Sequence, residues 1–203
     1  MASIVYTFKE GSNPHAPLVL FVHGRAGNVG VMVGFSRYIP EGCAQLFVQA
    51  PISDPIGGFS WWLVENPAAD PWRASFALDE ILASVLPSLR ISPRFIVGLG
   101  FSQGGAVLSM ALQRNPRLLK GLGLLASFVV RSPDPVVEDG HPQIFFAHGE
   151  HDTVVTLAEA ERGRAYLDEL GWPTMMVVDP VGHKVGIAGM RALREWLGQV
   201  MAG

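Results

Sequence analysis

Six short apolar runs alternate along most of this chain with longer segments of helical period, a pattern that constrains it to βαβ units around a mostly parallel sheet. The runs are Leu18–Val22, Ala44–Val48, Phe95–Leu99, Leu122–Leu125, Ile144–Ala147 and Met175–Val178. Each is apolar at consecutive positions and bounded by Gly, Pro or Asp, as strands covered on both faces are. An edge strand is expected at Ile4–Phe8, and helices over 76–90, 103–114, 156–170 and 187–200. Thr156 with Glu159 forms a capping box for the third helix, and Asn115-Pro116 and Gly171 with Pro173 are stop signals. The longest irregular stretch, Pro51–Arg73, is rich in Gly, Pro and Trp, and a loop of that length in a compact domain is often functional.

A chain of 203 residues fits one domain spanning 1–203, and its 49% hydrophobic content suits a large buried sheet. The net charge of −3 comes without a long basic or acidic run, which gives no footprint for nucleic acid or an anionic membrane. Small neutral or mildly anionic substrates fit better. No apolar stretch approaches the roughly 18 residues of a membrane span. The start, Met1 to Glu10, lacks a signal-peptide pattern, and the single Cys43 gives no sign of an oxidising compartment, so a cytoplasmic location is expected. The sequence leaves a homodimer open.

Gly100-Phe101-Ser102-Gln103-Gly104 satisfies G-x-S-x-G between an expected strand and an expected helix of small residues. A serine on so sharp a strand-to-helix turn is lifted into a cleft, and the flanking glycines remove side chains that would collide. Serine is a poor nucleophile near neutral pH, so it needs a base, and the base needs a group to orient it. The run at 144–147 leads into His148-Gly149-Glu150-His151-Asp152, and that at 175–178 leads into Asp179-Pro180-Val181-Gly182-His183. Ser102, Asp152 and His183 therefore follow the chain order nucleophile, acid, base. Glu150 is the closer rival acid and Asp179 the more distant one. His148 and His151 break the chain order as bases and read as loop histidines.

The loop His23-Gly24-Arg25-Ala26-Gly27 follows the first central strand, where a backbone N–H can face a developing oxyanion. Arg25 N–H and Gln103 N–H are the candidate donors, and His23 reads as a structural histidine. Phe59, Trp61 and Trp62 cluster around Gly57-Gly58 and are candidate walls of an acyl groove. Phe128–His141 is too short to form a cap. Gly121-x-Gly123-x-x-Ala126 imitates a dinucleotide fingerprint, but it lies in a strand with no helix following. His148 and His151 lack a zincin spacing, so neither a cofactor nor a metal is expected.

Phe21-Val22-His23-Gly24, Ser60-Trp61-Trp62, Leu99–Ala106, His148–Asp152 and Gly182-His183 together resemble the phospholipase/carboxylesterase family of α/β hydrolases, which includes acyl-protein thioesterases and small bacterial carboxylesterases. The resemblance spans nearly the whole chain. It implies a cofactor-free cytoplasmic enzyme with an uncapped α/β-hydrolase fold, a mostly parallel sheet flanked by helices on both faces. It also implies a Ser102, His183 and Asp152 triad with oxyanion donors at Arg25 and Gln103, acting on small ester or thioester substrates. The chain departs from the family's pattern in Asp152-Thr153-Val154-Val155-Thr156, where relatives often carry Asp-Pro-Val-Val-Pro, at Arg25, at Trp62 and at Ala126-Ser127-Phe128-Val129. A lactone hydrolase of the dienelactone class, which generally uses cysteine in place of Ser102, and a non-catalytic binding protein on the same fold are the alternative readings.

Overall fold

The structure is a computed structural model that describes residues 4–66, 70–137 and 141–203. Seven strands form one sheet: β1 (Tyr6–Lys9), β2 (Leu18–Val22), β3 (Ala44–Val48), β6 (Ile96–Phe101), β7 (Gly121–Leu125), β8 (Gln143–Gly149) and β9 (Thr174–Asp179). Their spatial order is β1-β3-β2-β6-β7-β8-β9, parallel throughout except that β1 runs antiparallel to β3. β4 (Ile52–Ser53) and β5 (Phe59–Ser60) pair as a separate small hairpin.

Alternation along β2 separates two cores. Leu18, Leu20 and Val22 pack with residues of α1 (Pro71–Val85), α2 (Gln103–Arg114) and α3 (Leu157–Glu169). Val19 and Phe21 point the other way, to a core with Leu193, Trp196 and Leu197 of α4 (Ile187–Ala202) and with the 3-10 segment Val33–Tyr38. Phe21 stacks on Phe47 of the adjacent strand with ring centroids 4.3 Å apart. Helices thus cover both faces, which is why these strands read as unbroken apolar runs.

The expected strands and helices are present, with shifted boundaries. β1 starts at Tyr6, and β6 continues to Phe101. The first helix begins at Pro71, five residues before the expected 76, because Asp70 caps it by accepting from Trp72 N–H (2.9 Å) and Pro71 fits its first position. It ends at Val85, short of the expected 90, where Pro87 has no N–H to continue the ladder and Leu86–Leu89 tightens into a 3-10 turn. The stretch Pro51–Arg73 is accordingly less irregular than expected, since it holds the β4–β5 hairpin and the start of α1; residues 67–69 lie outside the described residues. The capping box of α3 is formed, with Glu159 N–H donating to Thr156 Oγ1 (3.3 Å) and Thr156 N–H to Glu159 Oε2 (2.7 Å). Of the connection Phe128–His141, the described part contains no helix or strand, and residues 138–140 lie outside the described residues.

Gly198 lies within α4, and a Cβ there meets nothing within 4 Å. Gly198→Ala is expected to raise stability by about 0.5–1 kcal/mol through helix propensity and loss of unfolded-state entropy. Thermal melting should show a rise of roughly 1–4 °C in Tm.

Candidate active site

β6 carries the chain to the C-terminal edge of the sheet, where it turns through Ser102 at φ 51° and ψ −120° into α2. A non-glycine residue in such a conformation costs on the order of 1–3 kcal/mol and persists only when its surroundings hold it. Here Ser102 N–H donates to Leu125 O (3.0 Å), and Ser102 O accepts from Ser127 Oγ (2.7 Å) and from Gly105 N–H (3.1 Å). The start of α2 lies so close to the end of β2 that a Cβ on Gly104 would stand 2.1 Å from Val22 O. Ser102 is 8% exposed.

The loops after β8 and β9 bring Asp152 and His183 together. His183 Nδ1 lies 2.7 Å from Asp152 Oδ2, and because the carboxylate can only accept, that nitrogen carries the proton. The other carboxylate oxygen accepts from Val154 N–H (2.9 Å) and Val155 N–H (3.0 Å). Burial pushes the Asp152 carboxyl up, but the hydrogen bonds from His183 and these two amides outweigh it and hold it below its ordinary value. Because the folded value is the lower one, this contribution to stability is complete above the unfolded carboxylate value of about 3.9 and is lost as pH falls through the folded value. Glu150 N–H to Asp179 O (2.8 Å) and His151 N–H to Val181 O (2.9 Å) tie the two loops together. A Cβ on Gly149 would stand 2.1 Å from Gly182 O, so that contact also requires a glycine.

The His183 ring sits 5.0 Å from the ring of Phe101, the residue before Ser102. Among the described residues, Ser102 Oγ forms no hydrogen bond to His183; in hydrolytic sites this bond often tightens only around substrate. The rival residues have other partners. Asp179 is buried and accepts from Ala188 N–H (3.0 Å) and Gly189 N–H (2.7 Å), capping α4. Glu150 and His151 are exposed. His148 is buried behind Asp152, with its Nε2 2.9 Å from Val155 O and 3.5 Å from Asp152 Oδ2.

On the opposite side of Ser102, His23 accepts from Ala50 N–H at Nε2 (3.0 Å) and therefore donates from Nδ1 to Gly24 O (2.7 Å). Burial lowers its pKa in agreement with this neutral, structural form. The next residues are braced by the β4–β5 hairpin. Gly27 and Phe59 exchange backbone hydrogen bonds of 3.1 and 2.8 Å, and Ala26 N–H donates to Ser60 Oγ (3.0 Å). Ser60 Oγ in turn donates to the buried Asp54 carboxylate (2.6 Å), and Arg25 Nε reaches the same oxygen at 3.3 Å. Arg25 also pairs with Glu65, so its side chain is directed to the hairpin loops. Arg25 N–H and Gln103 N–H meet no backbone or side-chain acceptor among the described residues.

The Gln103 side chain grips the tryptophan pair, accepting from Trp61 N–H (3.1 Å) and donating to Trp62 O (2.9 Å). Trp61 is 1% exposed and donates its indole N–H to His23 O (2.9 Å), so most of its ring belongs to the core. Trp62 meets Phe128 edge-on at 6.3 Å, and Phe59 is half-buried. Trp61, Trp62, Ile52 and Leu63 border a recess of about 280 Å³. Sequence reasoning gave no role to Asp54, Ser60, Ser127 or the Gln103 side-chain amide. The Asp54-Pro55-Ile56-Gly57-Gly58 stretch does signal a tight turn, but nothing local points to Ala26 as the partner of Ser60 Oγ.

No group of three or more metal-ligating side chains occurs among the described residues, and no described helix is long and apolar enough to cross a membrane. Gly121 to Leu125 lie in β7, and no helix follows directly.

A mostly parallel sheet with helices on both faces, and a strand–serine–helix turn at its C-terminal edge, define the α/β-hydrolase fold. The chain is similar over 98% of its length to a Bacillus cereus carboxylesterase, with TM-score 0.87, 20% identity and 95% of that chain covered. It is also similar to esterase PE8, with TM-score 0.84, 19% identity, and 98% of this chain and 100% of that chain covered. Zea mays acyl-protein thioesterase 2 matches with TM-score 0.75 and 18% identity, covering 97% of this chain and 99% of that one. No protein-family model matches the chain, and no curated protein matches it in sequence.

Gly104→Ala is expected to force α2 away from β2 and to lower stability by about 1–3 kcal/mol, measured by urea unfolding. A wild-type midpoint and slope would show that the turn tolerates a side chain.

Proposed function

We propose that this protein is a serine hydrolase that cleaves carboxylic esters or thioesters of short to medium acyl chains, with the whole site carried by one domain. The observations that support the reading are the 2.7 Å Asp152–His183 hydrogen bond and the His183 ring 5.0 Å from that of Phe101, the residue before Ser102 in its left-handed turn. Ser102 Oγ attacks the acyl carbon as His183 Nε2 takes its proton. The carbonyl oxygen becomes an oxyanion facing Arg25 N–H and Gln103 N–H, each worth about 3 kcal/mol by analogy with other oxyanion donors. Collapse breaks the bond to the alcohol or thiol, which leaves with the proton from His183. Water then attacks the acyl-serine, gives a proton to His183, and releases the acid as that proton returns to Ser102. Asp152 holds the imidazole in the tautomer this cycle needs and stabilises its charged form. No step draws on a cofactor or metal.

The fold similarity to a carboxylesterase, an esterase and an acyl-protein thioesterase supports the same chemistry. Phe59, Trp61 and Trp62 are proposed as the acyl wall, with Trp62 in contact and Trp61 supporting it from the core. A buried free Cys43 suits a reducing compartment, so a cytoplasmic location is part of the proposal.

Ser102→Ala is expected to remain folded by circular dichroism, to lose labelling by a fluorophosphonate probe, and to hydrolyse p-nitrophenyl butyrate at least about 10³-fold more slowly. Asp152→Asn should lose roughly 10⁴-fold in kcat, and Asp179→Asn much less. Retained activity in Ser102→Ala, or the reverse ranking of the two aspartates, would overturn the assignment.

Across p-nitrophenyl esters of increasing acyl length, Trp62→Ala should raise KM progressively, since each buried methylene contributes about 0.8 kcal/mol. Trp61→Ala should instead lower stability and act evenly across the series. An even effect of Trp62→Ala would remove it from the acyl wall.

A further inference from the structure

A groove of about 800 Å³ opens beside the His183 loop, bordered by the 3-10 segment Val33–Tyr38 and by residues 187–194 of α4. Phe35, Phe101 and Met190 contribute half-buried apolar surface to it. Arg37, Lys184, Arg191 and Arg194 also line it, all four exposed, and no Asp or Glu is among the lining residues. Among the described residues, none of these cations is in a salt bridge. Of the carboxylates on the flanking elements, Asp152 is bonded to His183 and two amides and Asp179 to the first turn of α4, while the exposed Glu150 and Glu195 form no salt bridge with the four cations. The chain as a whole is acidic, 15 Lys and Arg against 18 Asp and Glu, so four uncompensated cations in one groove reverse the overall sign.

Neither Ser102 nor His183 lines the groove, but their chain neighbours do, which sets it on one particular side of the pair. Phe101 precedes Ser102 and its ring lies 5.0 Å from that of His183, while Val181 and Lys184 lie on either side of His183 in the chain. In ester cleavage the histidine must hand its proton to the departing oxygen or sulfur, so the leaving half of the substrate lies on the histidine side. The tryptophan pair held by Gln103 lies on the oxyanion side. We infer that the groove binds the alcohol or thiol half of the substrate, and that this half is a small molecule with an apolar portion and a carboxylate or phosphate group. The inference rests on the hydrolase reading above. Guanidinium groups suit such anions because their planar donors match two oxygens at once. Single exposed ion pairs contribute little, but a cluster of one sign at the mouth of a cleft concentrates anions and raises their rate of capture.

The test compares two nearly isosteric esters, the butanoyl esters of 4-hydroxybenzoate and of 4-hydroxybenzamide. The carboxylate makes its phenol the poorer leaving group, so a preference for that ester reports binding rather than intrinsic reactivity. At 0.01 M ionic strength kcat/KM should favour the anionic ester by about tenfold. The ratio should fall towards one at 1 M, as the screening length drops from about 30 Å to about 3 Å. The double variant Lys184→Gln with Arg191→Gln should bring the low-salt ratio to within about twofold of one. Arg94→Gln, which removes a cation on the loop before β6, should leave the ratio unchanged. Ligand-observed NMR of free 4-hydroxybenzoate against 4-hydroxybenzamide, on the Ser102→Ala protein, reads the groove without turnover and should detect the acid alone. Equal kcat/KM for the two esters in wild type would overturn the groove assignment while leaving the hydrolase reading intact. Failure to cleave either ester would overturn the hydrolase reading, and the NMR comparison would still decide the groove. Sedimentation with phosphatidylglycerol vesicles but not phosphatidylcholine vesicles, together with no preference between the soluble esters, would assign the cations to a membrane surface and overturn the proposal.

Discussion

The first turn of α2 rests against the end of β2 with no space for a side chain between Gly104 and Val22 O. That backbone-to-backbone contact sets where the helix starts and how sharply the chain must turn at Ser102. The left-handed φ of Ser102 follows from it, and so does the direction of Gln103 N–H. The Gln103 side chain carries the same constraint outward by holding both Trp61 N–H and Trp62 O. Trp61 then reaches back to His23 O, and His23 bonds the carbonyl of Gly24. One short chain of hydrogen bonds thus links the Ser102 turn, the tryptophan pair and the candidate oxyanion loop.

Backbone strain gathers in the same region. Ala26, Ser102 and Ala126 are three of the four non-glycine residues with positive φ among the described residues, and they lie in the loops after β2, β6 and β7. Each conformation is held by a hydrogen bond that its own N–H donates to a neighbouring element: Ala26 to Ser60 Oγ, Ser102 to Leu125 O and Ala126 to Ala147 O. Strained residues of this kind persist only where the surrounding structure over-determines them, and here the rigid sheet edge supplies that support.

Asp152 and Asp179 show how environment assigns chemistry to identical side chains. Both follow or end a strand at the same sheet edge and both are buried. The two oxygens of Asp179 are taken up by amides at the start of α4, which leaves it structural. Asp152 uses one oxygen for the amides of its own turn and presents the other to His183. The same sheet edge also separates charge, with the cationic groove on the His183 side and the Asp54–Arg25–Glu65 ion pairs on the other.

Much of the fold was legible because it rests on local regularities. Strands buried on both faces must be apolar at every position, so their runs stand out, and the Thr156–Glu159 capping box is a spacing of three residues. The serine turn was likewise legible, as were the loops that carry Asp152 and His183, since each follows a recognisable strand. The start of α1 was also written locally, in Asp70-Pro71, but was overshadowed by the Gly- and Trp-rich stretch before it. The remaining features join residues far apart in the chain: Ser60 to Ala26, Gln103 to the tryptophan pair, and α4 to the segment Val33–Tyr38 across the groove. Local periodicity determined the strands, the helices and the serine turn. Only the tertiary structure decided which polar groups meet, because hydrogen bonds and charges act through space and leave no spacing in the chain.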